Sequence, residues 1–577
     1  MNPDQEKACP PHAQEPRAPA LSRATSRAST AHNRLDKTRS QNGYSVDDHD
    51  YDDDDDEDDG VHSEGNAGTE ARRTSHSAQG KDPFEVGWDG GDADPLCPRS
   101  FSSKRKWLIT LIVSHFVHER KRTKKRDNKP TWFAENSTNP FPHRTCASSI
   151  YTTTYANMEA DFHNSRIVSV LGLSTFVLGI AFGPMILSPL SEFYGRRPIY
   201  LVTWTLYLIF LIPQAVARNV ATIIVFRFLD GFTGSAFLAV SGGTVSDLFA
   251  RGALQAPMAL FSASPFVGPS LGPIMGGFIN YHVDWRWTYY VLLMWSGVVW
   301  VAVVMFVPET YHPILLQKKA KNLRKKTGDD RWTAPADKVQ RSVVRAIGQS
   351  LLRPFQLLIF EPMCLNLCLF SAILLGILYL FFGAFPLVFG GANHGFNAWQ
   401  IGLSFTGIMV GMVLGVMTDP LWYRVRSKLV DKLEAETGVQ GASEPEFRLP
   451  PAIMGSLLVP AGIFMFGWSS FPWVHWIVPI IGSCIFAVGN VLVFTSIFTF
   501  LVDAYPLYAA SALAANAFVR CIFAAAFPLF GVQMYEKLGY QWASSLLAFL
   551  TVVMLPFPYI FFRYGKQIRR KSRYAKS

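Results

Sequence analysis

Cysteine is scarce here, seven in 577 residues, and the seven are scattered with neither metal-ligand nor disulfide spacing. That pattern supports no structural zinc and no stapled extracellular scaffold. Cys364 and Cys368 share a helix face and read as core thiols. No G-x-x-x-x-G-K-S/T string occurs, and no soluble stretch is large enough to hold an ATPase, which argues against ATP-driven work by this chain alone. The N-terminal region has no apolar core of the kind a cleavable leader needs, so a cytosolic N-terminus with insertion directed by a later helix is expected. It is instead rich in Ser, Arg, His and Asp, with an acidic run from Asp52 to Asp59, the composition of a disordered, solvated tail over residues 1–106.

What the chain does have is apolar length. Hydrophobic residues make up 49% of it and crowd into the part after the tail, in far more long runs than one soluble core could use. With about 20 apolar residues needed per crossing, spans are expected at 167–187, 199–217, 220–246, 257–279, 287–307, 362–386, 398–418, 450–469, 473–501, 509–533 and 541–562. A twelfth, first in order, begins near Trp107. The net charge of +10 does not point to nucleic acid, because its location follows the loops. Basic clusters at Arg196–Arg197, Lys318–Lys326, Arg424–Lys432 and Lys566–Lys576 alternate with loops poor in cations, which is the positive-inside pattern. It places both termini and the long central loop in the cytosol. The expected organisation is a helical bundle over 107–310, a cytosolic loop over 311–353, a second bundle over 354–563 and a basic tail over 564–577.

Five places carry functional information. On the fifth span Gly268, Gly272 and Gly276 recur every four residues, followed by Gly277 and interleaved with Pro269 and Pro273. They form a smooth stripe that admits a neighbouring backbone, broken by prolines that only close neighbours can compensate. Gly407, Gly411 and Gly415 make a matching stripe on the eighth span. The two stripes are candidates to pack on each other across the halves, or each within its own. After the second span, Ser188, Glu192 and Gly195 lead into Arg196 and Arg197, a tight turn with paired cations at the membrane surface. On the fourth span Arg227 lies about two turns inside apolar sequence, with Asp230 one turn on as a candidate ion-pair partner. Asp247, at the end of that span, stands level with Arg196 and Arg197 and is a candidate conformational latch. In the second half Asn490, Asp503, Asn516 and Arg520 are polar groups in or beside spans, and Asn516 and Arg520 share a face.

These strings resemble those of the major facilitator superfamily. G-P-S-L-G-P-I-M-G-G from Gly268 looks like the antiporter motif of its exporters, and Ser188 to Arg197 is similar to its loop motif in the form fungal drug exporters carry. P-E-T-Y-x-P-x-L-L-x-x-K-A from Pro308, with W-R-W at Trp285–Trp287, resembles the fungal drug:proton antiporters of twelve spans, multidrug and polyamine-type exporters among them. The resemblance implies an all-α polytopic fold of two six-helix bundles and a proton-coupled exporter of small amphipathic or cationic compounds, with no enzyme chemistry, metal or cofactor. It implies proton transfer at Arg227; Asp230 is not a standard part of that motif. A polyamine or other metabolite carrier and a transporter-like receptor without net flux are the alternatives. The expected partners are a small-molecule substrate, protons and the bilayer, for a monomer in the plasma membrane, with the vacuolar membrane as the other possible site.

The first span is interrupted. Trp107 to Ser114 starts as a membrane helix, residues 115–144 are strongly basic, and Thr145 resumes the apolar pattern. Removing the insert restores a span of about 20 residues, so it reads either as translated intron sequence or as a genuine insertion with an N-glycosylation acceptor at Asn136.

Overall fold

The computed structural model describes residues 84–114, 143–337, 342–439 and 443–575, apart from residues 90, 251, 252, 254, 392 and 573. The insertion over 115–142 and Asn136 lie outside them. Among the described residues the chain is helical, with one isolated bridge between Glu85 and Thr333.

The apolar runs become long helices because a chain in hydrocarbon must pair its own amides and carbonyls. The second to sixth spans are Arg166–Tyr194, Arg196–Ala215, Val220–Leu248, Gln255–His282 and Arg286–Phe306. The seventh is Pro362–Phe389, the eighth Ala398–Ser404 continued by Thr406–Met417, and the ninth to eleventh are Pro450–Trp468, Ile477–Ala504 and Ala509–Leu538. The twelfth is Tyr540–Met554 continued by Pro556–Arg569. Large apolar side chains such as Met305, 70% exposed, and Val553, 65% exposed, cover the outer surface, which fits lipid as their solvent. This is a multi-pass membrane protein.

The first span is present in two pieces, Ser103–Val113 and His143–Ile150, the latter running on through Tyr151–Thr154 and Tyr155–Phe162. Both pieces are seated in the N-terminal half: the Ser241 hydroxyl donates to the Val113 carbonyl at 3.1 Å, and the Tyr151 hydroxyl to the Ser169 carbonyl at 2.8 Å.

The linker forms a helix His312–Thr327, a short turn Pro335–Asp337 and an amphipathic helix Val343–Phe360. This end of the bundle is called the linker end below. The expectation of a structureless tail up to residue 106 fails from Phe84 onward. The Val86 N–H donates to the Thr333 carbonyl at 2.9 Å and the Thr333 N–H to the Phe84 carbonyl at 3.0 Å, and Val86 packs with Leu316, Ala320 and Ala334 in a small apolar cluster. Lys319 donates to the Gly87 carbonyl at 2.9 Å and to Asp89 and Asp94 at 2.8 Å each. Composition over a hundred residues could not separate this short docking segment from the polar tail before it.

The docking has a pH dependence of known sign. The hydrogen bond from Lys319 holds the Asp94 carboxyl below its ordinary value of 3.8, and burial holds the His312 imidazole, edge-on to Trp88, below 6.5. A depressed histidine stabilises the docked form above 6.5 and withdraws that support as pH falls, whereas the depressed carboxylate withdraws its own only below 3.8. Hydrogen exchange over residues 84–101, corrected for intrinsic rates, is expected to quicken between pH 7 and pH 5, and to be fast already at pH 7 in Lys319→Ala. Unchanged protection in that variant would show that the apolar cluster alone holds the segment.

Candidate functional site

At the linker end a glycine sets the geometry. Gly195 takes φ +98°, a conformation that side chains with a Cβ rarely adopt, and turns the second span into the third. The turn aims its free amides at Glu309, which accepts from the Arg196 and Arg197 N–H groups at 2.9 and 3.1 Å and from those of Thr310 and Tyr311 at 3.0 and 2.9 Å. The helix N-terminus thus receives a carboxylate where its dipole favours one. Arg196 is buried, pairs with Asp247 at 3.5 Å, donates to Ser191 at 2.6 Å and lies over the Tyr311 ring. Glu192 is exposed and Ser188 half-buried.

The Arg196–Asp247 pair joins the second-to-third turn to the end of the fourth span, so both partners belong to one half. The pairing expected of Asp247 is present, and because it lies within one half, movement of the halves apart does not by itself have to break it. Removing one partner of a buried pair costs about 3–5 kcal/mol. Asp247→Asn is therefore expected to lower the thermal stability of the solubilised protein and to leave the inward-to-outward balance near that of the wild type. A shifted balance at unchanged stability would restore the latch.

Deeper in the same half Arg227 is fully buried. Its Nε donates to the Gly172 carbonyl at 3.3 Å, Nη1 to Ala147 at 3.1 Å and Nη2 to Ser148 at 3.4 Å. The rings of Tyr151 and Phe176 lie 4.3 Å from the guanidinium carbon. Arg227 therefore ties the fourth span to the first and second through carbonyls. The expected ion pair with Asp230 does not form: that carboxylate turns to the third span and accepts from Gln214 Nε2 at 3.2 Å. Three residues along a helix is near one face, but here the face divides between two neighbours.

The halves meet one residue from this arginine. The Ser148 and Tyr379 hydroxyls share a hydrogen bond of 3.0 Å, and Ser174 donates to the Ala525 carbonyl at 2.7 Å. The glycine stripes do not pack on each other. Gly272 and Gly276 face the first span, where a Cβ at Gly272 would stand 2.5 Å from the Ile150 nitrogen, and Ser149 donates to the Gly268 carbonyl at 3.5 Å. Gly407, Gly411 and Gly415 face the tenth span at Ile480, Ala487 and Val491. The close crossing between halves is Gly277 on Gly402: a Cβ at Gly277 would lie 2.7 Å from the Ala398 carbonyl oxygen, and one at Gly402 2.5 Å from that of Pro273. Pro269 and Pro273 are buried within the fifth span, where Ser270 reaches Met412 at 3.9 Å.

In the second half Asp503 accepts from Arg448 Nε at 2.8 Å. Asn516 donates to Ser371 at 2.7 Å, and Asn490 is buried with no hydrogen bond from its side chain. Arg520 lies against Phe494 and Phe498, its guanidinium carbon 5.4 and 4.7 Å from the ring centres.

Residues 144–528 match the family model of the Major Facilitator Superfamily. The chain belongs to that superfamily. Among its relatives are the efflux pump atB of Aspergillus terreus, 52% identical over 84% of this chain and 89% of the relative, and the probable drug/proton antiporter YHK8 of Saccharomyces cerevisiae, 44% identical over 75% and 83%. The fold is that of solved facilitators such as the xylose transporter XylE of E. coli, at a TM-score of 0.52, 14% identity, and coverage of 80% of this chain and 99% of that one.

Facilitator halves repeat each other, and the repeat explains a residue the sequence reading missed. Arg448, just before the ninth span, clamps Asp503 at the end of the tenth as Arg196, starting the third, clamps Asp247 at the end of the fourth. The two pairs are 55 and 51 residues apart in sequence, and aligning the halves on the aspartates would have found Arg448. Glu446, bidentate to Arg569 at 2.8 Å for both bonds, was invisible for another reason: 123 residues separate the partners.

Proposed function

We propose that the protein is a proton-coupled secondary exporter of small amphipathic molecules that works by alternating access, with its linker end in the cytosol. The observation that carries this reading is the position of Arg227, which holds the first, second and fourth spans together beside the Ser148–Tyr379 bond between the halves. A rocking motion that breaks that bond changes the surroundings of a buried charge, which is the physical requirement for linking charge to conformation. Asp230, buried on the same helix, is the group that takes and gives the proton. A carboxyl in apolar surroundings costs different amounts in its neutral and ionised forms, so its proton occupancy biases the conformational equilibrium. Relatives described as efflux pumps and a drug/proton antiporter support the direction of flux.

The test is reconstitution of the full chain in proteoliposomes, loaded with a panel of neutral, cationic and anionic amphipathic probes. At least one probe is expected to leave against its gradient when a pH gradient is imposed, and to stop when a protonophore is added. Binding without any net movement would favour a receptor, and movement indifferent to the protonophore would remove the proton.

A further inference from the structure

Among the described residues, several carboxylates at the ends of the spans are already engaged. Asp247 serves Arg196, Asp503 serves Arg448 and Glu446 serves Arg569, Glu309 binds backbone amides, and Glu361 accepts from Tyr505 and Ser572. Asp230 turns to Gln214. Arginines, by contrast, stand in the interior without acids. Arg227 is bound by carbonyls and aromatic rings, and Arg520 by rings only. Among the described residues neither has an ion-pair partner, and Arg227 lies beside Ser148, whose hydroxyl bonds that of Tyr379 where the halves touch. Tyr379 also lines a crevice between the halves together with Arg166, Tyr155, Phe382 and Val532.

On the helix of Arg520, and on the tenth span whose phenylalanines it lies against, there are buried polar atoms without hydrogen-bond partners. Its own Nε is buried without an acceptor. Asn516, one turn away and fully buried, has an Oδ1 with no donor. Asn490, 1% exposed and one turn before Phe494 on the tenth span, makes no side-chain hydrogen bond at all. Buried polar atoms in a folded protein generally find partners, and orphans close to an unpaired cation are compatible with a ligand of opposite charge. Phe494 and Phe498 lie within cation–π range of the guanidinium, and a planar guanidinium presents an N–H fork of the shape a carboxylate accepts in two parallel bonds.

We propose that Arg520, with Phe494, Phe498, Asn490 and Asn516, anchors the carboxylate of an aromatic organic acid, and that the exported molecules are amphipathic monocarboxylates rather than cations. The proposal rests on the efflux reading above and narrows it. A cation entering this interior meets two arginines, while the buried acid of the fourth span, Asp230, turns to Gln214; the anion of a weak acid, the form present at cytosolic pH, is drawn in. Exchange of that anion outward for a proton inward moves both charges in the direction favoured by a membrane potential negative inside.

The experiment uses the full chain in proteoliposomes with a pH gradient and radiolabelled benzoate, salicylate and indole-3-acetate, with tetraphenylphosphonium as the cationic probe. Protonophore-sensitive movement of at least one acid, beyond that in vesicles without protein, is expected, with tetraphenylphosphonium moving no faster than in those vesicles. Arg520→Gln is expected to lower the rate for that acid by about 10- to 100-fold, as loss of a charge-assisted pair does, and Arg520→Lys to raise KM more than it lowers kcat. Should Arg520→Gln fail to insert, Asn490→Leu decides: a purely structural amide replaced by a side chain of similar size leaves KM unchanged, whereas a ligand contact raises it several-fold. Export of tetraphenylphosphonium with no acid moved would overturn this proposal and leave the efflux reading standing. Movement of no probe would overturn both, and acid export at wild-type rate in Arg520→Gln would return Arg520 to a packing role.

Discussion

Arg227→Ala is expected to abolish uphill efflux driven by a pH gradient while the protein still inserts and retains some substrate binding. The guanidinium makes three hydrogen bonds to carbonyls of two other spans, and each charge-assisted bond in a dry interior contributes about 1.5–3 kcal/mol. Without it the first span loses its tie beside Ser148, and the bond from Ser148 to Tyr379 loses its fixed position between the halves. Arg227→Lys discriminates between charge and shape. A lysine keeps the charge but has a single nitrogen, which cannot reach Gly172, Ala147 and Ser148 in one plane. Lysine is therefore expected to be almost as defective as alanine in uphill transport. Facilitated exchange of substrate without a proton gradient should survive better than uphill movement in both variants, and this comparison separates coupling from general damage. Normal proton-driven accumulation by the alanine variant would reduce Arg227 to a structural residue.

Gly402→Val and Gly277→Val are expected to stop turnover, each by more than about 10-fold, at nearly unchanged thermal stability. At both positions the obstacle to a side chain is backbone of the opposite half, which cannot move aside as a flexible side chain would: the Ala398 carbonyl for Gly277 and the Pro273 carbonyl for Gly402. Each half can still fold around its own core, but the close approach of the fifth and eighth spans is lost. Gly272→Val and Gly411→Val should behave differently, because their obstacles lie within one half, at Ile150 and at Ala487. Overpacking there costs about 1–3 kcal/mol and is expected to lower thermal stability before it lowers the rate per folded molecule. Wild-type turnover in Gly402→Val, measured per inserted protein, would show that the halves do not need this crossing.

The contrast between these glycines shows how much of the site could be read in advance. Spacing by four put Gly272 and Gly411 on smooth faces, and those faces do pack closely. It could not say against what, because a stripe of small residues fits any neighbour, and the crossing fell instead to Gly277, at the end of its stripe, and to Gly402, which belongs to no stripe. The fourth span was similar. A buried arginine in a span demands partners, and Arg227 has them, but they are carbonyls that every residue carries and that no sequence pattern marks.

The sequence by itself determined the fold class, the positions of eleven spans, the broken first span, the belonging to the facilitators and the identities of the polar residues inside the membrane. These depend on apolar length, on the cost of an unsatisfied backbone in lipid and on short strings of glycine, proline and charge, all of them local properties. Tertiary structure alone decided the pairings: Asp230 with Gln214 rather than Arg227, Asp247 with Arg196 inside one half, Asp503 with Arg448, the halves joined at Ser148 and Tyr379, and Arg520 left without an acid. A side chain on a helix can turn to either of two neighbours at little cost in local energy. The choice is made by which partners the packing of distant spans brings within reach.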